Sequence, residues 1–228
     1  MSLWAARGLA PHGGLSRLGG MGHTCDDSQH AGQTGVAGSA DTGLILASAS
    51  PRRAALLAAA GIRFEVKPSS VGEVHHADWP GGALVEWNAG LKAAEVGTRF
   101  PGRLVLGADT LVFEGGVPLG KPGDMDEAAA MLRRLSGRTH EVMTGIAIAR
   151  GGILVSAHAV TRVSFRPLDG GLIREYHVKV DPLDKAGAYG IQEHGGMIVS
   201  RVEGPLDNVV GLPVALVSRF LEAVVALP

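Results

Sequence analysis

From Leu44 onward the chain alternates short apolar runs with helix-forming runs, which restricts it to an α/β or α+β architecture. Leu44-Ile45-Leu46-Ala47 suits a buried strand. Ser48-Ala49-Ser50-Pro51-Arg52-Arg53 follows, then Ala54 to Ala60 and Gly61. Ser50 is a good N-cap, Pro51 fits the first helical position, and Gly61 fits the stop. Phe64 to Lys67 is predicted as a strand and Ala83 to Val96 as a helix carrying Lys92. Leu104 to Thr110 reads as a strand ending in an acid, Asp109. Leu111-Val112-Phe113 and the Glu114-Gly115-Gly116 turn then read as a hairpin. Asp124 and Glu127 form a capping box for a helix that runs to Leu135 and stops at Gly137. Val142 to Ala149 and Ile153 to Phe165 flank Gly151-Gly152 as a long antiparallel hairpin. Leu172 to Val178 is predicted helical, Met197 to Val202 a strand, and Pro213 to Val225 a closing helix. There is no internal repeat.

Residues 1 to 43 do not share this pattern. They hold ten of the 34 glycines and almost no apolar periodicity. Such a segment cannot bury enough surface to offset its ordering entropy, so it is expected to be disordered. Two origins fit it. Its first 20 residues carry Arg7 and Arg17 and no acid, as an organelle transit peptide would, while Met21 equally suits a later start. The folded unit is expected to be one domain over residues 44 to 228.

Composition removes several function classes. Cys25 is the single cysteine, so neither an internal disulfide framework nor a Cys-rich zinc module can form. A net charge of −1 argues against an electrostatic nucleic-acid or membrane binder. No uncharged apolar run approaches the roughly 18 residues of a membrane span. The expected class is a soluble intracellular enzyme or binding domain.

Within the folded unit, charge placement is the clue. Arg52 and Arg53 occupy the first turn of a helix, where the positive end of the dipole disfavours them. Free N–H groups at a helix start and two adjacent cations suit a polyanion, although two solvated arginines give the same pattern. Gly115-x-x-x-x-Gly120-Lys121 matches most of a P-loop, but Pro122 stands where the metal-binding Ser or Thr belongs. The histidines, including the adjacent His75-His76, form no metal-binding pair. What remains is a population: Arg52, Arg53, Lys92, Lys121 and Lys185 with Glu73, Asp109 and Asp184. Five cations and three carboxylates suit a metal–triphosphate, the cations neutralising phosphate oxygens and the acids holding metal and activating water. Spacing alone does not bring them together.

The ordered runs SASPRR at 48–53, GADT at 107–110, GKP at 120–122, LSG at 135–137, LDKAGAYGIQ at 183–192 and NVVGLP at 208–213 resemble the Maf family of nucleoside triphosphate pyrophosphatases. The resemblance spans residues 44 to 226. It implies a fold similar to inosine triphosphatases: an elongated mixed sheet with flanking helices and two lobes around a cleft. It also implies cleavage of nucleoside triphosphates between the α and β phosphates, with a divalent metal, Mg2+ or Mn2+.

By the same resemblance Asp109 matches the catalytic acid that accepts a proton from water. Ser48, Arg53, Lys92, Lys121 and Lys185 match phosphate-binding positions, and Glu73 with Asp109 matches the metal ligands. Three departures stand out. Gly72 replaces an acid beside Glu73, Asn88 stands where an apolar helix residue is usual, and Pro205-Leu206 replaces an aromatic. Arg52, Thr110 and Gln192 match the specificity positions of the dTTP/UTP subfamily. A neutral amide suits the donor and acceptor edge of uracil or thymine, where a carboxylate would suit 7-methyl-GTP. The partner implied is the nucleotide, with a homodimer left open and no nucleic acid or membrane; the location implied is cytoplasmic. The alternative is a nucleotide-binding regulator of cell division that needs no catalysis.

Overall fold

The computed structural model describes residues 43–74 and 78–225. The expected 1–43 extension (Gly43 apart) and His75-His76 lie outside the described residues. The elements run β1 (Leu44–Leu46), α1 (Pro51–Ala59), β2 (Phe64–Val66), α2 (Gly81–Arg99), β3 (Leu104–Glu114), β4 (Val117–Leu119), α3 (Met125–Leu135), β5 (Thr139–Arg150), β6 (Ile153–Phe165), α4 (Gly170–Lys179), β7 (Val199–Glu203), α5 (Leu206–Val210) and α6 (Val214–Val225). Caps hold where local chemistry dictates them. The Ser50 hydroxyl accepts from the Arg53 N–H, and the Asp124 and Asp169 carboxylates accept from the Glu127 and Leu172 N–H groups. The short helix α5 was not anticipated.

One mixed seven-stranded sheet organises the chain in the order β2-β1-β3-β5-β6-β7, with β4 added to β3. The β1 strand pairs parallel with β2 and β3, and every other pairing is antiparallel. Side chains alternate across β3. Leu104, Leu106 and Ala108 join Leu46, Leu57, Ile148 and Val217 in one core, under α1 and α6. Farther along the same face, Val112 joins Leu132, Phe165 and Tyr176 in a second core, under α3 and α4. These are the two lobes. Thr110 and its cross-strand partner Thr144 form the polar rung between them. The opposite face is covered by α2, which packs Ala89, Ala93 and Val96 on Val105 and Ala147.

Asp109 is not at a strand end. The strand continues without a break from Leu104 to Glu114, against the expectation that it stops at Asp109-Thr110. What does end there is its neighbour. On one edge β3 pairs with β1 through Leu106 and with β4 only from Val112. Residues 107–111 therefore present an unpaired edge, and both faces of the strand open to it. That gap is the site a strand end would otherwise have supplied.

Helix α2 lies close enough to reach the gap because two strand positions lack side chains. A methyl at Gly107 would collide with the Ala89 carbonyl, and one at Gly145 with the Val85 carbonyl. Both obstacles are backbone and cannot swing aside. Gly107→Ala is therefore expected to lose about 1–3 kcal/mol of stability, read by chemical denaturation. Unchanged stability would mean that α2 is free to shift. No helix among the described residues is long and apolar enough to cross a membrane.

Candidate active site

A cleft of about 510 Å3 opens over the gap between the lobes. At its floor Asp109 is almost fully buried, at 2% exposure. Its Oδ1 accepts from Lys92 Nζ at 2.8 Å and its Oδ2 from Asn88 Nδ2 at 3.0 Å. Lys92 also donates to Glu73 Oε1 at 2.6 Å, so one ammonium is shared by two carboxylates. Burial by itself would raise the Asp109 carboxyl. The Lys92 charge and hydrogen bond, the Arg53 charge and the Asn88 amide outweigh that and hold it below the usual carboxylate range.

The wall beside Asp109 is built by Arg53. Its Nε donates to the Gly211 carbonyl at 2.9 Å, Nη1 to Ser48 Oγ at 3.0 Å, and Nη2 to Thr110 Oγ1 at 3.0 Å. Thr144 Oγ1 gives its hydrogen to the Asn208 carbonyl at 2.8 Å. The 3.0 Å bond between the two threonines is then donated by Thr110. A guanidinium opposed to its own helix dipole is thus held by the α5–α6 junction and the polar rung of the sheet.

At the rim, Arg52 Nη1 donates to Asp184 Oδ2 at 2.8 Å. Lys185, buried, donates to Asp184 Oδ1 at 2.6 Å and to the Asp181 carbonyl at 2.8 Å, and pairs with Glu193 at 3.2 Å. Lys121 is exposed and has no hydrogen-bond or ion-pair partner among the described residues. Gln192 is likewise exposed and unpartnered there. Of the residues expected at a site, Arg52, Arg53, Glu73, Asp109, Thr110, Lys121, Lys185 and Gln192 line this one cleft. Ser48 and Lys92 stand one layer behind, reaching it through Arg53 and Asp109. Asn88 and Thr144 were not anticipated as supports. A polar residue on the buried, alanine-rich face of a helix was the signal for Asn88; Thr144 carried none.

The family model described as Maf-like protein matches residues 43–224. The chain belongs to the Maf family. It is 48% identical over 178 residues to the dTTP/UTP pyrophosphatase of Akkermansia muciniphila, covering 78% of this chain and 94% of that protein. It is 50% identical over 179 residues to the dTTP/UTP pyrophosphatase of Myxococcus xanthus, covering 78% and 91%. Among solved structures, the Ham1 protein of Staphylococcus aureus aligns at 15% identity with a TM-score of 0.47, covering 79% of this chain and 98% of that one.

No three His, Cys, Asp or Glu side chains converge as a metal cage among the described residues of this Maf protein. Two oxygen donors, Glu73 and Asp109, do meet on one side of the cleft floor, where a cation already sits between them in the form of Lys92. A hard divalent ion needs no more from protein: Mg2+ commonly takes one or two carboxylates and completes its shell with water and substrate phosphate. The donor set fits such an ion.

Tyr189, on the cleft wall, rests its hydroxyl on His140 Nε2 at 2.8 Å. Burial drives the His140 imidazole down to about 4 from an ordinary 6.5, against a weak opposing pull from Glu114. Folding thus favours the neutral ring, while the unfolded chain takes up a proton below pH 6.5. Stability should be unaffected above that pH and fall by up to about 3 kcal/mol as the pH drops toward 4. Denaturation across that window is expected to show a steeper fall in the parent than in His140→Gln, where His177, also lowered by burial, still contributes. An equal slope in both would remove His140 from the acid response.

Proposed function

We propose that this protein is a pyrophosphatase of dTTP and UTP, giving the nucleoside monophosphate and pyrophosphate. The observation that carries the reading is the pair of carboxylates on one buried lysine, Glu73–Lys92–Asp109, at the floor of a cleft whose rim carries Arg52, Lys121 and Lys185. A protein that only bound nucleotide would have no use for a carboxylate placed to take a proton from water at the α-phosphate. The names and near-50% identity of the two relatives above supply the pyrimidine substrates.

Each residue has a task in this reading. Lys121, unpartnered and exposed, meets the incoming triphosphate first. Lys185 exchanges its carboxylate partners for phosphate oxygens beside Arg53 as the nucleotide settles, while Arg52 leaves Asp184 to face the base with Gln192. Asp109 takes a proton from a water whose oxygen attacks the α-phosphorus. The bond from that phosphorus to the bridging oxygen breaks, and pyrophosphate leaves. Glu73 and Asp109 would hold a divalent ion, Mg2+ or Mn2+, which when bound supplies charge neutralisation on the phosphate oxygens. Gln192 presents an uncommitted amide to the base, and Thr110 acts through the Arg53 it holds.

Pyrophosphate release from a panel of nucleotides, with and without added metal, tests this. dTTP and UTP should lead the unmodified substrates. A preference for 7-methyl-GTP would overturn the pyrimidine assignment, and no release from any nucleotide would overturn the enzyme. Lys121→Ala should lower kcat/KM for every nucleotide alike, by about tenfold for one lost charged hydrogen bond. An altered ranking of bases would instead put Lys121 beside the base.

A further inference from the structure

Asn88 sits one helical turn before Lys92 on the buried face of α2, at 1% exposure. Its Oδ1 accepts from the Val74 N–H at 2.9 Å. Its Nδ2 donates to the Val74 carbonyl at 3.1 Å and to Asp109 Oδ2 at 3.0 Å. The partners fix which end of the amide is which: one donor faces oxygen, and two acceptors face nitrogen. The side chain therefore grips residue 74 as a neighbouring strand would, and with its last hydrogen it holds Asp109.

Lys92 grips the same two segments by charge, through Glu73 Oε1 and Asp109 Oδ1. The two ties differ in kind. A divalent ion held by these carboxylates would compete with the ammonium for the same oxygens and would weaken its hold on Glu73. The amide is neutral and grips the backbone of residue 74, so nothing displaces it.

We propose that Asn88 is a positioning residue: it ties the Glu73 segment to Asp109, so that both carboxylates keep their places when the hold of Lys92 is weakened. This rests on the pyrophosphatase reading for its kinetic part alone. The kinship of Asn88 to an ordinary helix–loop tie is what the test must separate, since such a tie would affect stability without affecting metal or turnover.

Asn88→Leu keeps the branched outline of the side chain, with larger methyl ends, and removes all three hydrogen bonds; Asn88→Ala keeps the helix with a smaller side chain. Three readouts apply to both: Mn2+ affinity of the substrate-free protein by electron paramagnetic resonance, hydrogen exchange of the Val74 amide, and kcat and KM for dTTP. Loss of a group that orients metal-binding carboxylates costs about 10- to 100-fold in affinity or activity. Mn2+ affinity and kcat are expected to fall by that much, KM for dTTP to stay level, and the Val74 amide to exchange faster. A folded variant with parental Mn2+ affinity and kcat overturns the proposal, whatever its melting temperature. Should leucine not be accommodated, alanine carries the test, and an unprotected Val74 amide in the parent overturns it without any variant. If the parent hydrolyses no nucleotide, the functional reading fails, while Mn2+ affinity and Val74 exchange still decide the role of Asn88.

Discussion

Asp109→Asn should lower kcat for dTTP by about 10²- to 10⁴-fold, the usual loss when a general base is removed. The substitution keeps the shape of a buried side chain held at both oxygens. It does not keep the polarity. The new amide has one acceptor where two are needed, so its NH2 must face a donor on either Lys92 or Asn88. An imperfectly satisfied buried group costs about 1–3 kcal/mol. Lys92 retains Glu73, which limits the damage. Turnover by pyrophosphate release should therefore collapse, while urea denaturation shows a modest loss and an intact cooperative transition. Parental turnover in Asp109→Asn would end the assignment of Asp109 as the base.

Gln192→Glu is expected to cut kcat/KM for dTTP and UTP more than about tenfold, since a site built for a particular polar edge loses roughly 1–3 kcal/mol per mismatch. In the free protein the Gln192 amide is exposed on the cleft wall and uncommitted, so its donor and acceptor are both available to a base. A carboxylate has no donor for the O4 of uracil or thymine. It also adds a second negative charge beside Glu193, which Lys185 already neutralises. Competition between dTTP and 7-methyl-GTP, measured on parent and variant, reads the effect. An unchanged preference would remove Gln192 from base recognition.

Much of the fold was legible because it is dictated locally. Ser50 and Asp124 cap helices through bonds to the third residue on, a distance that sequence shows directly. The glycine pairs at 115–116 and 151–152 turn β3 into β4 and β5 into β6 as read. What local reading missed has a long-range cause. Asp109 and Thr110 look like the end of a strand because polar residues seldom continue a buried one. They continue it because Lys92, Asn88 and Arg53, all distant in sequence, satisfy them there. The site had the same character. Its residue types were visible as a scattered population of charges, and resemblance to a family supplied the grouping. The links themselves, Lys92 to Glu73 nineteen residues away and Arg53 to Thr110 fifty-seven away, exist only once α2 and α1 are docked on the sheet. Asn88 marked itself as a departure, but its grip on Val74 depends on where the 71–74 segment lies.

In the proposed reaction water attacks the α-phosphorus of a pyrimidine nucleoside triphosphate in this cleft. Hydrolysis of dTTP in 18O-labelled water, with Mg2+ present and both products analysed by mass, tests it most directly. The expected result is dTMP and pyrophosphate in equal amounts, with the label in dTMP. Label in pyrophosphate, or the appearance of dTDP and inorganic phosphate, would contradict it.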